Sequence, residues 1–131
     1  MKYEDFYEKG YQVIPSVLSK DQIRLFKDKT LAVYERQENE FGSDNMCIIG
    51  EKNVARSPFL YDSSFVEMFY SDFTIKIVKQ ILGDYAVLSL QNAIFIPGKQ
   101  KHHQGFFHRD IIHQDFTSSR PLGINLYYCL D

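Results

Sequence analysis

The sequence predicts an α+β fold, with N-terminal helices packed on one side of an antiparallel sheet. Three observations predict it. Apolar residues recur at helical spacing between Ser19 and Leu82. After Gly83 the texture changes: β-formers dominate Ala86–Ile96, and strict alternation marks Pro121–Leu130. The two textures are segregated along the chain, whereas parallel βαβ units would interleave them.

Taken in order, Tyr3–Lys9 reads as a short helix ended by Gly10. Tyr11–Ile14 reads as extended and stops at Pro15. Ser19-Lys20-Asp21-Gln22 is a capping box, with Ser19 able to cap and Gln22 able to reach back. Ile23, Phe26, Thr30, Leu31 and Tyr34 follow at helical spacing and predict an amphipathic helix to about Asn39. Gly42–Val54 reads as a loop or irregular extended segment. Ser64–Tyr70 and Asp72–Leu82 read as two further helices, the second capped by Asp72 and closed by Gly83.

Ala86–Ile96 reads as a strand that ends at Pro97-Gly98. Gly98–Gly105 is polar, basic and glycine-bounded, hence a surface loop. Phe106–Ile112 can be extended again. Pro121–Leu130 reads as a strand with Ile124, Leu126, Tyr128 and Leu130 on one face and Asn125, Tyr127 and Cys129 on the other.

The chain has 131 residues, the size of one domain, read as mainly helical over 1–83 and sheet-forming over 84–131. Hydrophobic residues make up 44% and charged residues 24%, which places it among globular proteins. A net charge of −2 gives no footprint for nucleic acid or an anionic membrane. No apolar stretch approaches the ~20 residues of a membrane helix. Met1–Asp5 is charged and is not a secretory signal. Cys47 and Cys129 match no metal spacing, so reduced thiols and a cytoplasmic location are expected.

The chemistry-bearing motif is His108-Arg109-Asp110. In extended backbone, residues i and i+2 point the same way, so His108 and Asp110 can aim a nitrogen and a carboxylate oxygen at one point. That supplies two ligands of the 2-His-1-carboxylate triad of non-haem Fe(II) sites. The same three letters open a kinase catalytic loop, but the position that must be Asn is Asp115, and no Gly-rich phosphate loop precedes it. His113 follows Asp110 by three and is a weaker ligand candidate. His102 and His103 read as solvated, as do Lys99 and Lys101.

These residues resemble the phytanoyl-CoA dioxygenase family, which includes ectoine hydroxylase and many hydroxylases of small metabolites. Four pieces carry the resemblance: Phe6–Pro15 with Leu18-Ser19, Gln91–Gly98, Phe107–Asp110, and Leu126–Asp131. It implies a double-stranded β-helix of the jelly-roll, cupin-like kind behind N-terminal helices. It also implies Fe(II) and the co-substrate 2-oxoglutarate. Oxidative decarboxylation of the co-substrate to succinate would then drive hydroxylation of a small molecule by oxygen. His108 and Asp110 are the implied metal ligands and catalytic residues. Asn92 and Tyr127, and more weakly Gln91 and Asn125, are the implied co-substrate contacts, with interior packing as the competing reading. In the family a second histidine and a 2-oxoglutarate-binding arginine come well downstream of the motif.

This chain contains neither. It therefore reads as the front part of such a domain, with an open, association-prone sheet edge, exposed apolar residues among Ile124, Leu126, Tyr128 and Leu130, and weak activity alone. The competing function is a non-catalytic jelly-roll binding module or pseudo-enzyme.

Overall fold

The computed structural model of the chain describes residues 4–98 and 115–131. Its element order is α1 (Glu4–Lys9), α2 (Lys20–Phe41), α3 (Ser43–Ile48), β1 (Val54–Arg56), a 3-10 turn (Pro58–Leu60), α4 (Ser64–Phe69), α5 (Asp72–Leu82) and β2 (Asn92–Ile94). Helix dominates the first two-thirds, and β1 and β2 form a two-stranded antiparallel sheet. Among the described residues the fold is therefore α+β.

α2 is the platform. The expected capping box forms at its start: Ser19 Oγ accepts from Gln22 N at 3.2 Å, and Ser19 N donates to Gln22 Oε1 at 2.9 Å. The helix buries Phe26, Thr30, Val33 and Gln37, a stripe one face wide. Leu31, expected on that face, is 47% exposed, and Val33 takes its place. The helix stops at Gly42, whose φ of 86° is left-handed, a conformation that glycine adopts without a Cβ penalty.

The core gathers Phe26 and Val33 of α2, Ala55 of β1 and Phe65 of α4. Tyr34, Phe59, Met68, Ala93, Phe95 and Leu130 pack around them. Phe26 and Phe65 meet with ring centroids 5.7 Å apart, and Tyr34 and Phe95 at 5.3 Å, both in the favourable tilted range.

Several expectations are corrected. Gly42–Val54 is not a loop throughout: it carries α3 and the start of β1. α5 is capped by Ser71, not Asp72; Ser71 has the extended backbone a cap requires, and its Oγ accepts from Thr74 N. Tyr11–Ile14 forms no strand; it leads into Ser16, whose positive φ turns the chain. Ala86–Ile96 shrinks to Asn92–Ile94, because its partner β1 is only three residues long.

Pro121–Leu130 forms no ladder among the described residues, yet its burial alternates as the sequence predicts. Ile124, Leu126, Tyr128 and Leu130 are half-buried, and Asn125, Tyr127 and Cys129 are exposed. The expected exposure of the first four is therefore overturned. Side chains hold this segment to the helices. Leu130 joins the core, Tyr128 packs edge-on against Phe69 at 5.4 Å, and its hydroxyl meets Thr74 Oγ1 at 2.6 Å. Among the described residues, no helix is long and apolar enough to cross a membrane.

Candidate functional site

β1 and β2 are built so that each presents one face to the helices. Ala93 and Phe95 pack on the core, and so does Ala55, the register partner of Ala93. By strand period Asn92 and Ile94 turn to the other face. Arg56 is the register partner of Asn92 and shares that face.

A polar cluster centres on Arg56. Its guanidinium forms a two-pronged pair with Glu51, Nε to Oε2 at 2.6 Å and Nη2 to Oε1 at 2.7 Å. This is the fork geometry that makes arginine–carboxylate pairs strong. The Asn92 amide lies 2.8 Å from Nη1 and 2.8 Å from the Gln91 carbonyl, and hydrogen bonding to both requires its oxygen toward Arg56 and its nitrogen toward Gln91. A guanidinium has only donors, so it dictates which end of the Asn92 amide faces it.

The backbone of Arg56 is fixed from α2. Gln37 Nε2 donates to Arg56 O at 2.7 Å, and Gln37 Oε1 accepts from Arg56 N at 3.0 Å. Gln37 thus stands in for a neighbouring strand along β1, which explains why a glutamine is buried to 4% exposure in the helical stripe.

The predicted co-substrate residues fall into distinct environments. Gln91 is buried, and its amide is engaged on the helix side: Oε1 accepts from Phe59 N at 2.9 Å, and Nε2 donates to Phe65 O at 3.4 Å. Those bonds tie β2 to the 3-10 turn and α4, a structural role. Asn92 is half-buried on the opposite face. Asn125 and Tyr127 share the exposed side of the last segment, Tyr127 at 80% exposure. The structure brings Asn92 to Arg56 and keeps Gln91 away from that face. His108 and Asp110 lie outside the described residues, as do His102, His103 and His113. Among the described residues no group of three or more His, Cys, Asp and Glu could hold a metal. Cys47 and Cys129 are free and exposed.

A second polar feature lies between α2 and the segment that leads into α4. Lys29, Ala32, Val33, Arg36, Tyr61 and Asp62 line a shallow depression of about 180 Å³. Lys29 Nζ donates to Asp62 Oδ2 and to Ser64 Oγ, both at 2.7 Å. The Lys29 hydrogen bond, with help from Ser64, lowers the Asp62 carboxyl to about 2. The Arg36 guanidinium lies over the Tyr61 ring at 4.9 Å, a cation–π contact. The Lys29 and Asp62 charges are thus spent on each other, pinning α2 to the start of α4.

Glu51, Arg56 and Gln37 escaped the sequence reading. Glu51 sat in a presumed loop, β1 is too short to alternate, and Gln37 lies on a face read only for apolar residues. No protein-family model matches this chain, and no curated protein or solved structure is significantly similar to it.

Proposed function

We propose that this protein is an Fe(II)- and 2-oxoglutarate-dependent dioxygenase that hydroxylates a small-molecule metabolite. The observation that carries the reading is the His108-x-Asp110 pair, two metal-ligating side chains at strand spacing, reached from β2 through Pro97-Gly98. The donor chemistry fits the metal: a neutral imidazole and a carboxylate suit Fe(II) and leave coordination positions open. The sheet supports the reading in one further respect. Its helix-packed face carries Ala55, Ala93 and Phe95, while a polar pair, Arg56 and Asn92, stands on the other.

When bound, the iron supplies the oxygen activation that couples 2-oxoglutarate decarboxylation to C–H hydroxylation. The chain's own residues do the holding and orienting. His108 and Asp110 would grip the ion. Asn92 offers a hydrogen bond to the co-substrate, and Tyr127 offers a hydroxyl. The substrate is a small molecule.

The test is succinate formation by the full protein from 2-oxoglutarate with Fe(II), ascorbate and oxygen. Turnover that disappears in Asp110→Ala is the expected result. Absence of succinate with metal bound at His108 and Asp110 would point instead to a binding module. Equal turnover in Asp110→Ala would remove the motif from the chemistry.

A further inference from the structure

We propose that the outer edge of β2 is the surface on which two copies of this chain pair, strand against antiparallel strand, about a two-fold axis at Asn92. The inference is independent of the metal and co-substrate readings.

The two-stranded sheet has one occupied edge and one open edge. Ser57 N donates to Gln91 O at 2.8 Å, and Phe95 N donates to Asn53 O at 2.9 Å. These bonds turn the backbone groups of Gln91, Ala93 and Phe95 toward β1, so those of Asn92 and Ile94 point away from it. On β1 three of the outward groups are taken. Val54 N donates to Glu51 O at 3.0 Å, and Gln37 engages both the N–H and the C=O of Arg56. On β2, among the described residues, no hydrogen bond reaches the outward N–H and C=O groups of Asn92 and Ile94.

This open edge lacks the usual guards. Solitary edges are blunted by charged side chains, proline or a bulge. From Tyr85 to Ile96 there is no charged residue and no proline. Six apolar residues stand exposed instead: Tyr85, Val87, Leu88, Leu90, Ile94 and Ile96. Together they expose on the order of 700 Å² per copy, close to the ~800 Å² that each partner gives to a standard interface. That is also more than the apolar patch of a typical monomer.

Self-complementarity names the occupant. An antiparallel pairing centred on Asn92 opposes Leu90 to Ile94 of the second copy, and Leu88 to Ile96. In extended backbone these even-numbered positions share the face turned away from the helices, so apolar side chains meet apolar side chains across the strands. The same positions carry the outward backbone groups, so one register both fills the open hydrogen bonds and buries the exposed side chains. Moving the centre by one residue would set Asn92 against Leu90 or Ile94. The contact is also closed: two copies use up both open edges and leave none for a third.

The experiment is sedimentation velocity of the full protein across the micromolar range, with amide hydrogen exchange on the same samples. Wild type, Ile94→Lys, Ile96→Lys and the control Ile48→Lys on α3 are compared, each with a thermal melt. Wild type should form a dimer that grows in with concentration. Each edge lysine should raise the dimer dissociation constant about a hundredfold or more, and Ile48→Lys should leave it unchanged. In the dimer the amides of Asn92 and Ile94 should exchange more slowly than in the monomer. Those of Ala93 and Phe95, already turned to β1, should change less. A protein that stays monomeric at every concentration would overturn the proposal, and another part of the same chain or a different partner would then cover the edge. So would a dimer that survives both edge lysines, or one whose Asn92 and Ile94 amides exchange as fast as in the monomer. If the edge variants fail to fold, the wild-type exchange pattern decides alone.

Discussion

Gln37 holds Arg56 by both of its backbone groups, donating to the carbonyl at 2.7 Å and accepting from the N–H at 3.0 Å. A helix side chain thereby completes the free edge of a three-residue strand. Through Arg56 the same contact reaches Glu51 and Asn92, so one buried amide connects α2 to the polar pair on the sheet.

Gln37→Leu should therefore cost more than its small change in volume suggests. It leaves the Arg56 N–H and C=O without partners in a half-buried setting, at about 1–3 kcal/mol for each group denied a bond. Gln37→Glu should also destabilise, because a carboxylate can accept from the N–H but repels the carbonyl. Urea unfolding followed by far-UV circular dichroism would measure both. Wild-type stability in Gln37→Leu would mean that water replaces the amide at no cost.

Asp62 makes stability acid-sensitive. Lys29 and Ser64 lower its carboxyl from 3.8 to about 2 in the folded chain. A depressed carboxyl stabilises the fold fully above its unfolded value, and the contribution fades as pH falls through the folded value. The loss should thus fall between about pH 4 and pH 2. Asp62→Asn should be less stable than wild type at neutral pH, and the two stabilities should converge at the acid end of that window. A constant difference across the window, followed by denaturant titration, would show that Asp62 does not titrate with folding.

How much of this was legible in the sequence depends on whether the cause is local. The Ser19–Gln22 capping box and the Gly83 stop are set by residues within one turn, and both are found as read. α3 has six residues and one buried side chain, Met46, too little for a period to register. β1 is shorter still, and its existence depends on β2 nearly forty residues away. The alternation of 124–130 was readable, and the apolar side does pack inward. The expectation that it would be exposed came from counting strands for a β-helix; helices α4 and α5 supply the cover instead, through Phe69 and Thr74. Asn92 could be named from its strand, but its partner could not, because register is a tertiary property. The His108–Asp110 pair was legible as a motif alone.

Tyr128 anchors the last segment through two side-chain contacts. Its hydroxyl meets Thr74 Oγ1 at 2.6 Å, and its ring packs on Phe69. Tyr128→Phe should cost about 0.5–1.5 kcal/mol, the net value of one hydrogen bond, since Thr74 keeps its contact with Ser71. Tyr128→Ala should cost about 3 kcal/mol or more by removing the ring as well. It should also raise amide exchange across 124–131, because side chains hold that segment. Exchange unchanged in Tyr128→Ala would place the anchor elsewhere.

The metal assignment separates two histidines that stand five residues apart. His108 shares a face with Asp110 if the segment is extended, since i and i+2 coincide. His113 is three beyond Asp110, an odd step that sends it to the other face under the same period. The proposal therefore expects unequal effects. In the full protein, His108→Ala should abolish retention of one equivalent of Fe(II) after anaerobic gel filtration, and Asp110→Ala should do the same. His113→Ala should retain the metal. Iron content by inductively coupled plasma spectrometry reads this directly, without a substrate and without turnover. Retention should also weaken in acid, because a metal-ligating imidazole must give up its proton. If His113→Ala loses iron while His108→Ala keeps it, the ligand set is not the strand-period pair. The case for an Fe(II) dioxygenase would then lose the one observation that carries it.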